Sequence, residues 1–249
     1  MEKLKVKKLS INYSHSYDIV AIAEVVIFDI YRTGNISNGD VVLDLGAGIG
    51  EYSVTASRKV GREGTVISIE PNPDDFKILT ENLKENDCSN VIAINKAFSE
   101  TAGKMILEFQ GKSFSADTIS SSELMRILRQ KGIDGMDVVK MDIEGAEVRA
   151  IGTLRDYLDS VRSISMELHG TRKTIDGLLN PLGFSFKETE RRDYLASALF
   201  FFLTHPISSW NFLRLFRSSR QNFRIRDLVG EKELYNSRNL QVGSYIRQS

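Results

Sequence analysis

The chain has 249 residues, 41% of them hydrophobic and 27% charged, with 33 basic and 33 acidic side chains, which is ordinary for a globular protein. A single cysteine, Cys88, excludes an internal disulfide and a zinc site built on cysteines. The most apolar stretch, residues 195–203, is too short to cross a bilayer, so we expect a cytoplasmic protein without a signal peptide.

The predicted secondary structure begins with an amphipathic helix over residues 18–32. From residue 39 onward, short apolar strands alternate with helical patterns, which is typical of an α/β protein with a mainly parallel sheet and helices on both faces. We expect strands at residues 40–45, 65–70, 90–97, 137–142 and 162–169, followed by an edge pair at 183–190 and 194–205. The helical patterns lie at about 51–59, 73–86, 122–131, 144–158 and 172–182.

This pattern divides the chain into three segments. Residues 1–37 form a basic N-terminal segment with the amphipathic helix, residues 38–205 form the α/β domain, and residues 206–249 form a basic, aromatic extension. The first ten residues hold four lysines and one glutamate, and the extension holds eight Arg and Lys and three acids. We expect the extension to pack on the domain or on a second subunit.

The extension also allows two other interpretations. At helical spacing its apolar side chains share one face, and the other face carries Arg214, Arg217, Arg220 and Arg224. Such a surface can hold the phosphates of RNA, with bases stacked on the interleaved aromatic rings. It can also lie on an anionic membrane surface.

The stretch VVLDLGAGIGEYS, residues 41–53, predicts a strand, a glycine-rich turn and a helix start. Gly46 and Gly48 match the dinucleotide fingerprint, but Glu51 stands where its third glycine belongs, and Gly50 comes one residue early. Asp44, two residues before the turn, would repel a pyrophosphate and attract a cation. S-adenosylmethionine carries a sulfonium and an ammonium group, so the turn favours this cofactor over a nicotinamide dinucleotide.

The second and third strands add a nucleoside site. Glu70 ends the second strand, where an acid accepts hydrogen bonds from ribose hydroxyls, and Pro71 stops the strand directly after it. The third strand ends at Ala97 and Phe98, which we expect beside the adenine.

Four motifs, VVLDLGAGIG, VISIEPNP, VVKMDIEGAE and ISMELHG, resemble in this order the FkbM-type S-adenosylmethionine-dependent methyltransferases, over about residues 38–203. The resemblance implies a class I methyltransferase Rossmann-like fold with seven strands in the order 3-2-1-4-5-7-6. It also implies methyl transfer, usually to a hydroxyl of a sugar or another natural product. The cofactor-binding residues that we predict are Asp44, Gly46, Ala47, Gly48, Gly50, Tyr52, Glu70, Pro71, Asn72, Ala97, Phe98 and Asp142.

The fourth strand ends beside the point where the strand order switches, and ligands of open α/β sheets bind there. We therefore expect Asp142 beside the reacting methyl group, with Glu144 in the following loop. Glu147 is expected to face solvent in the first turn of the next helix. Lys140 lies inside an apolar strand, and we expect it to pair with Asp142 or with a neighbouring acid such as Glu167.

The candidate catalytic residues lie at the ends of strands four and five. Of the three histidines, only His169 follows such a strand, and its ordinary pKa near 6.5 suits a general base. Asp142 or Glu167 is the second candidate for the base, and Glu144 is a further candidate catalytic residue. Asp142, Glu167 and His169 could also converge on Mg²⁺, so metal dependence stays open.

Three other functions remain open from the sequence. The basic ends allow an RNA methyltransferase, the glycine turn allows an NAD-dependent oxidoreductase, and an intact pocket without turnover would make the chain a binding module. The methyl acceptor cannot be read from any motif. We expect residues 100–121 and the extension to contact it.

Overall fold

The computed structural model of the chain describes residues 1–109, 111–189, 191–206, 210 and 240–248. The predicted basic face of Arg214, Arg217, Arg220 and Arg224 lies outside these residues. The strands within the described ranges are β1 (Glu2–Val6), β2 (Leu9–Tyr13), β3 (Val41–Leu45), β4 (Thr65–Ile69), β5 (Val91–Ile94), β6 (Ala97–Phe98), β7 (Gly103–Phe109), β8 (Lys112–Ile119), β9 (Val138–Met141), β10 (Ser163–His169), β11 (Phe184–Glu188) and β12 (Leu240–Arg247).

The helices alternate with these strands along most of the chain. They are α1 (Ser16–Ile22), α2 (Glu51–Val60), α3 (Pro73–Glu85), α4 (Ser121–Arg129), α5 (Glu147–Leu154), α6 (Arg172–Leu179) and α7 (Arg191–Thr204). A π-helical segment, Ala23–Ile27, continues α1, and single 3₁₀ turns lie at Thr33–Asn35, Arg155–Tyr157 and Asn180–Leu182.

A seven-stranded sheet forms the centre of the fold, in the spatial order β11-β12-β10-β9-β3-β4-β5. The pairs from β10 through β5 are parallel, whereas β12 is antiparallel to both β10 and β11. Numbered along the chain, these strands read 6-7-5-4-1-2-3, which is the expected order seen from the opposite edge. The α/β class with a mainly parallel sheet is therefore confirmed.

The last strand does not come from the predicted segment. Residues 194–205 were expected to be a strand, but they lie largely in α7, so that prediction is wrong. The run LASALFFFL is apolar throughout and does not alternate, and such a run cannot be assigned to a strand or a helix by periodicity. The seventh strand is instead β12, and it belongs to the segment that we expected to be an appended extension.

Hydrophobic side chains pack on both faces of the sheet, because successive residues of a strand point to opposite sides. Val42 and Val66 belong to a core that includes α1 and α2, whereas Leu43 and Ile67 belong to a second core with α4, α5 and α6. The expected helices on both faces are thus present.

Two hairpins were not predicted from the sequence. β1 and β2 form an antiparallel pair at the N-terminus, and β7 and β8 form another, extended by β6. The amide of Asn82 on α3 fastens the first hairpin to the domain. It accepts from the N–H of Asn12 over 2.6 Å and donates to the carbonyl oxygens of Asn12 and Ile49. The N-terminal segment is therefore held directly beside the glycine turn.

Across the described ranges, no helix combines the length and apolar character needed to cross a membrane.

Candidate active site

The turn after β3 is the first component of the site. Its glycines have positive φ angles, +74° at Gly46, +53° at Gly48 and +89° at Gly50, in the region that favours glycine. A Cβ atom on Gly46 would lie 1.8 Å from the carbonyl oxygen of Asp142, so the turn can approach the loop after β9 only without a side chain. The N–H of Gly48 donates to Glu70 Oε2 over 2.8 Å, which joins the turn to the end of β4.

Glu70 directly follows β4, as the nucleoside interpretation requires. Its Oε1 accepts the N–H of Asn72 over 2.7 Å, so each carboxylate oxygen accepts one backbone hydrogen bond and keeps a further lone pair. Burial raises the pKa of Glu70 to about 8, although the N–H groups of Asn72 and Gly48 lower it. The carboxyl is thus held in a fixed orientation at the rim of the site.

A cavity of about 280 Å³ lies where β3, β4 and β9 end. Eight of the predicted cofactor residues line it, namely Gly46, Gly48, Glu70, Pro71, Asn72, Ala97, Phe98 and Asp142. Glu144 also lines it, as do Tyr17, Asp18 and Ala21 of α1 and Leu107, Glu108 and Phe114 of the β7–β8 hairpin. The N-terminal helix and the hairpin in residues 100–121 are therefore walls of this cavity.

The other predicted site residues, Asp44, Ala47, Gly50, Tyr52, Glu167 and His169, are not among the cavity's lining residues. Asp44 is 0% exposed, and its Oδ2 accepts the hydroxyl of Ser53 over 2.6 Å. Its Oδ1 lies 3.3 Å from Lys140 Nζ. The carboxylate that was expected to contact the cofactor is thus engaged beneath the glycine turn.

Lys140 pairs with a neighbouring acid, as expected, but this acid is Asp44 rather than Asp142 or Glu167. In the sheet register Lys140 lies directly opposite Asp44. Its ammonium also donates to the carbonyl oxygen of Gly46 over 2.6 Å. Burial by itself would lower the pKa of Lys140, but the carboxylates of Asp44 and Asp142 raise it above its ordinary value.

Asp142 faces the cavity from the loop after β9 and has a different set of partners. The hydroxyl of Tyr31 donates to Asp142 Oδ2 over 2.8 Å. Burial and the neighbouring carboxylate of Asp142 raise the pKa of Glu167 to about 9, so Glu167 keeps its proton at neutral pH and donates it in a hydrogen bond to Asp142. Sequence reasoning missed Tyr31, which follows the first helix and carries no motif.

His169 is held between two glutamates. Its Nδ1 lies 2.9 Å from Glu147 Oε1, and its Nε2 lies 3.5 Å from Glu144 Oε2. Hydrogen bonds to Glu144 and Glu147 raise the pKa of His169 to about 10, so the ring is an imidazolium at neutral pH. An imidazolium has no free nitrogen to accept a proton, and this geometry argues against His169 as the general base.

Glu147 is the partner that fixes this histidine, and the expectation that it faces solvent is wrong. It is 0% exposed, and its Oε1 also accepts the N–H of Gly145 over 2.7 Å. Its Oε2 lies 3.3 Å from the hydroxyl of Thr171. Glu147 therefore ties the end of β10 to the loop that carries Asp142.

The charge of the cavity wall is strongly one-sided. Seven carboxyl side chains line it, and the described lining includes no Lys, Arg or His. These are Asp18, Glu51, Glu70, Asp75, Glu108, Asp142 and Glu144. Within the described part of the chain, no group of three or more His, Cys, Asp and Glu is placed to hold a metal ion.

Comparisons with known proteins agree with this architecture. The model of the Methyltransferase FkbM domain matches residues 44–202. The hexuronic acid methyltransferase AglP of Haloferax volcanii is 30% identical over 143 residues, which cover 52% of this chain and 56% of that protein. The tRNA (guanine(37)-N(1))-methyltransferase 1 of Phaeodactylum tricornutum is 28% identical over 81 residues, which cover 32% of this chain and 18% of that protein. The chain thus spans about half, or less, of the length of these curated relatives.

A solved structure of a candidate SAM-dependent methyltransferase from Streptococcus mutans superposes with a TM-score of 0.52 at 8% identity. The match covers 98% of this chain and 55% of that one, and at this identity it shows the fold alone. The fold is the class I methyltransferase fold that the resemblance implied. The family model covers well over half of the chain, and on that ground the chain belongs to the FkbM methyltransferase domain family.

Proposed function

We propose that this protein is an S-adenosylmethionine-dependent methyltransferase that acts on a hydroxyl of a sugar or another small natural product. One observation carries the proposal. In a chain of the FkbM family, the glycine turn, Glu70 and Asp142 line a single cavity at the ends of β3, β4 and β9. That edge is where open α/β sheets bind their ligands.

Different residues of the lining suit the different parts of the cofactor. The turn at Gly46 and Gly48 presents backbone without side chains, Glu70 offers a lone pair to ribose hydroxyls, and Phe98 offers a ring face to adenine. A wall of carboxyl groups suits a ligand whose methionyl end carries positive charge. When bound, S-adenosylmethionine supplies an activated methyl group, and the leaving group is a neutral thioether.

We assign Asp142 as the base that removes the proton of the acceptor hydroxyl. A hydroxyl must lose its proton as its oxygen is methylated, and a placed base typically contributes about 10²–10⁴-fold. The Tyr31 hydroxyl and the protonated Glu167 fix the orientation of the Asp142 carboxylate at the cavity wall. His169 acts indirectly in this scheme, because with Glu147 it holds the loop that carries Asp142.

The acidic lining favours an acceptor that brings no phosphate to the cavity. Among the described lining residues there is no cation to balance an RNA backbone, and phosphate contacts dominate the affinity of RNA-binding proteins. A sugar hydroxyl is neutral and needs hydrogen bonds rather than charge balance. The sugar class also agrees with the hexuronic acid methyltransferase AglP, which by its name acts on a sugar acid.

The cofactor is tested first by isothermal titration calorimetry with S-adenosylhomocysteine, with NAD as the matched control ligand. We expect micromolar binding of S-adenosylhomocysteine, no binding of NAD, and a clear loss of affinity in Glu70→Ala. Binding of NAD alone would contradict the proposal.

A labelled-methyl screen of neutral sugars, sugar acids and RNA then identifies the acceptor. Repeating the methylation in excess chelator tests whether a metal ion is needed. Unchanged turnover would mean that protein side chains remove the proton without a metal.

A further inference from the structure

Two acidic residues flank the glycine turn, Asp44 before it and Glu51 after it, and only Glu51 reaches the cavity. Glu51 is the first residue of α2 and is 6% exposed. Its Oε2 accepts no hydrogen bond from any residue that the structure describes. A Cβ atom built on Gly48 would lie 3.9 Å from this Oε2, so the unpartnered oxygen sits directly beside the turn.

A buried carboxyl oxygen without a partner is costly, because desolvation is not repaid by a hydrogen bond. Such groups are rare in native proteins, and a bound ion or another ligand that completes them is one explanation. Burial raises the pKa of Glu51 to about 7, against the lowering effect of the Lys140 ammonium. A cationic ligand at this point would return Glu51 to its ionised form and repay its desolvation.

We infer that Glu51, rather than Asp44, is the carboxylate that binds the ammonium group of the cofactor's methionyl end. The inference rests on the proposed function, since it takes S-adenosylmethionine as the ligand of the cavity. It assigns different roles to the two acids. Asp44 balances Lys140 beneath the turn, and Glu51 supplies the charge on the ligand's side.

The test compares two ligands that differ in the methionyl end. S-adenosylhomocysteine carries the ammonium and carboxylate groups, whereas 5′-methylthioadenosine keeps the adenosine and the thioether and lacks both. Affinities of the wild type and Glu51→Gln for each ligand are measured by calorimetry. Glu63→Gln is the matched control, because Glu63 follows the same helix, is exposed and is not among the cavity's lining residues.

We expect Glu51→Gln to weaken S-adenosylhomocysteine binding by about 10- to 100-fold, the range for losing one charge-assisted hydrogen bond. Its affinity for 5′-methylthioadenosine should change by less than about twofold, which also shows that the variant is folded. Glu63→Gln should leave both affinities within about twofold. An equal loss for both ligands, or no loss for either, overturns the assignment of Glu51 while leaving the cofactor proposal standing. If the wild type binds neither ligand, the proposed function itself fails.

Discussion

Asp44 and Asp142 lie at the ends of neighbouring strands, and their surroundings differ in almost every respect. Asp44 is fully buried beneath the glycine turn, with the Lys140 ammonium at 3.3 Å and the Ser53 hydroxyl at 2.6 Å. Asp142 faces the cavity, and its neighbours are the Tyr31 hydroxyl at 2.8 Å and the protonated carboxyl of Glu167.

The difference separates a structural carboxylate from a chemical one. The charge of Asp44 is balanced by Lys140, so binding a proton there would leave a buried ammonium unpaired. Asp142 accepts hydrogen bonds from the Tyr31 hydroxyl and the protonated Glu167, and it faces the cavity. A carboxylate held in this way at the wall of a cavity can accept the proton of a substrate hydroxyl. The following predictions test this contrast, from the largest expected effect to the smallest.

Replacing Asp142 should have the largest effect on turnover. In Asp142→Asn the side chain keeps its shape but can no longer accept a proton, so we expect kcat to fall by about 10²–10⁴-fold. The affinity for S-adenosylhomocysteine should remain within about threefold. Initial rates with the acceptor found in the labelled-methyl screen give the first value, and calorimetry gives the second. Full turnover in the variant would remove Asp142 from the mechanism.

Replacing Lys140 should have the largest effect on stability. Lys140→Met leaves the Asp44 carboxylate buried and unbalanced, so we expect the free energy of unfolding to fall by about 3–5 kcal/mol. The measurement is equilibrium unfolding in urea. In the double variant Asp44→Asn with Lys140→Met, most of this loss should be recovered, because neither member of the pair is then charged. If the free-energy losses of the single variants Lys140→Met and Asp44→Asn simply add in the double variant, the ion pair does not stabilise the fold in the way that the geometry indicates.

The sheet and the turn that lines the cavity could be predicted from the sequence because local patterns determine them. Each of these features is encoded in a short, continuous stretch of sequence, as at the glycine turn of Gly46 and the strand end of Glu70. The positive φ angles of the turn follow from its glycines, and the ends of the strands follow from residue type and spacing. The β12 strand could not be found in this way, because the sequence around Gly243 was assigned to an extension and its pairing partners, β10 and β11, are distant along the chain.

The proton network could not be predicted for a related reason. Tyr31 and Asp142 are 111 residues apart in the chain, and only the fold brings them together. The sequence showed an acid cluster around Gly145 but not which member is buried. Both Glu147 and Glu144 contact the ring of His169, but the Glu147 side chain is fully buried whereas that of Glu144 is 67% exposed. Tertiary contacts, rather than local spacing, decide which acids are paired.

A smaller effect is expected at Tyr31. Tyr31→Phe removes the hydroxyl that donates to Asp142, and we expect kcat to fall by about tenfold, the value of one net hydrogen bond, with cofactor affinity unchanged. Tyr52→Phe is the matched control, because the Tyr52 hydroxyl is buried without a hydrogen-bond partner among the described residues. Its removal should leave turnover unchanged and should not lower stability, because no hydrogen bond is lost. Equal losses in both variants would indicate a general packing effect rather than orientation of Asp142.

The smallest effect concerns the Glu147 carboxylate, which resembles Asp44 in being balanced by a cation, here His169. The pKa of His169 is raised from its ordinary value to about 10, so its stabilisation is fully present below pH 6.5 and is lost as the pH rises through about 10. His169→Gln should lower stability by about 1 kcal/mol below pH 6.5 and by progressively less toward pH 10. Thermal unfolding of both proteins across that range measures the difference. A difference that does not change with pH would mean that His169 is neutral in the folded protein, and the histidine would again be a candidate for the general base.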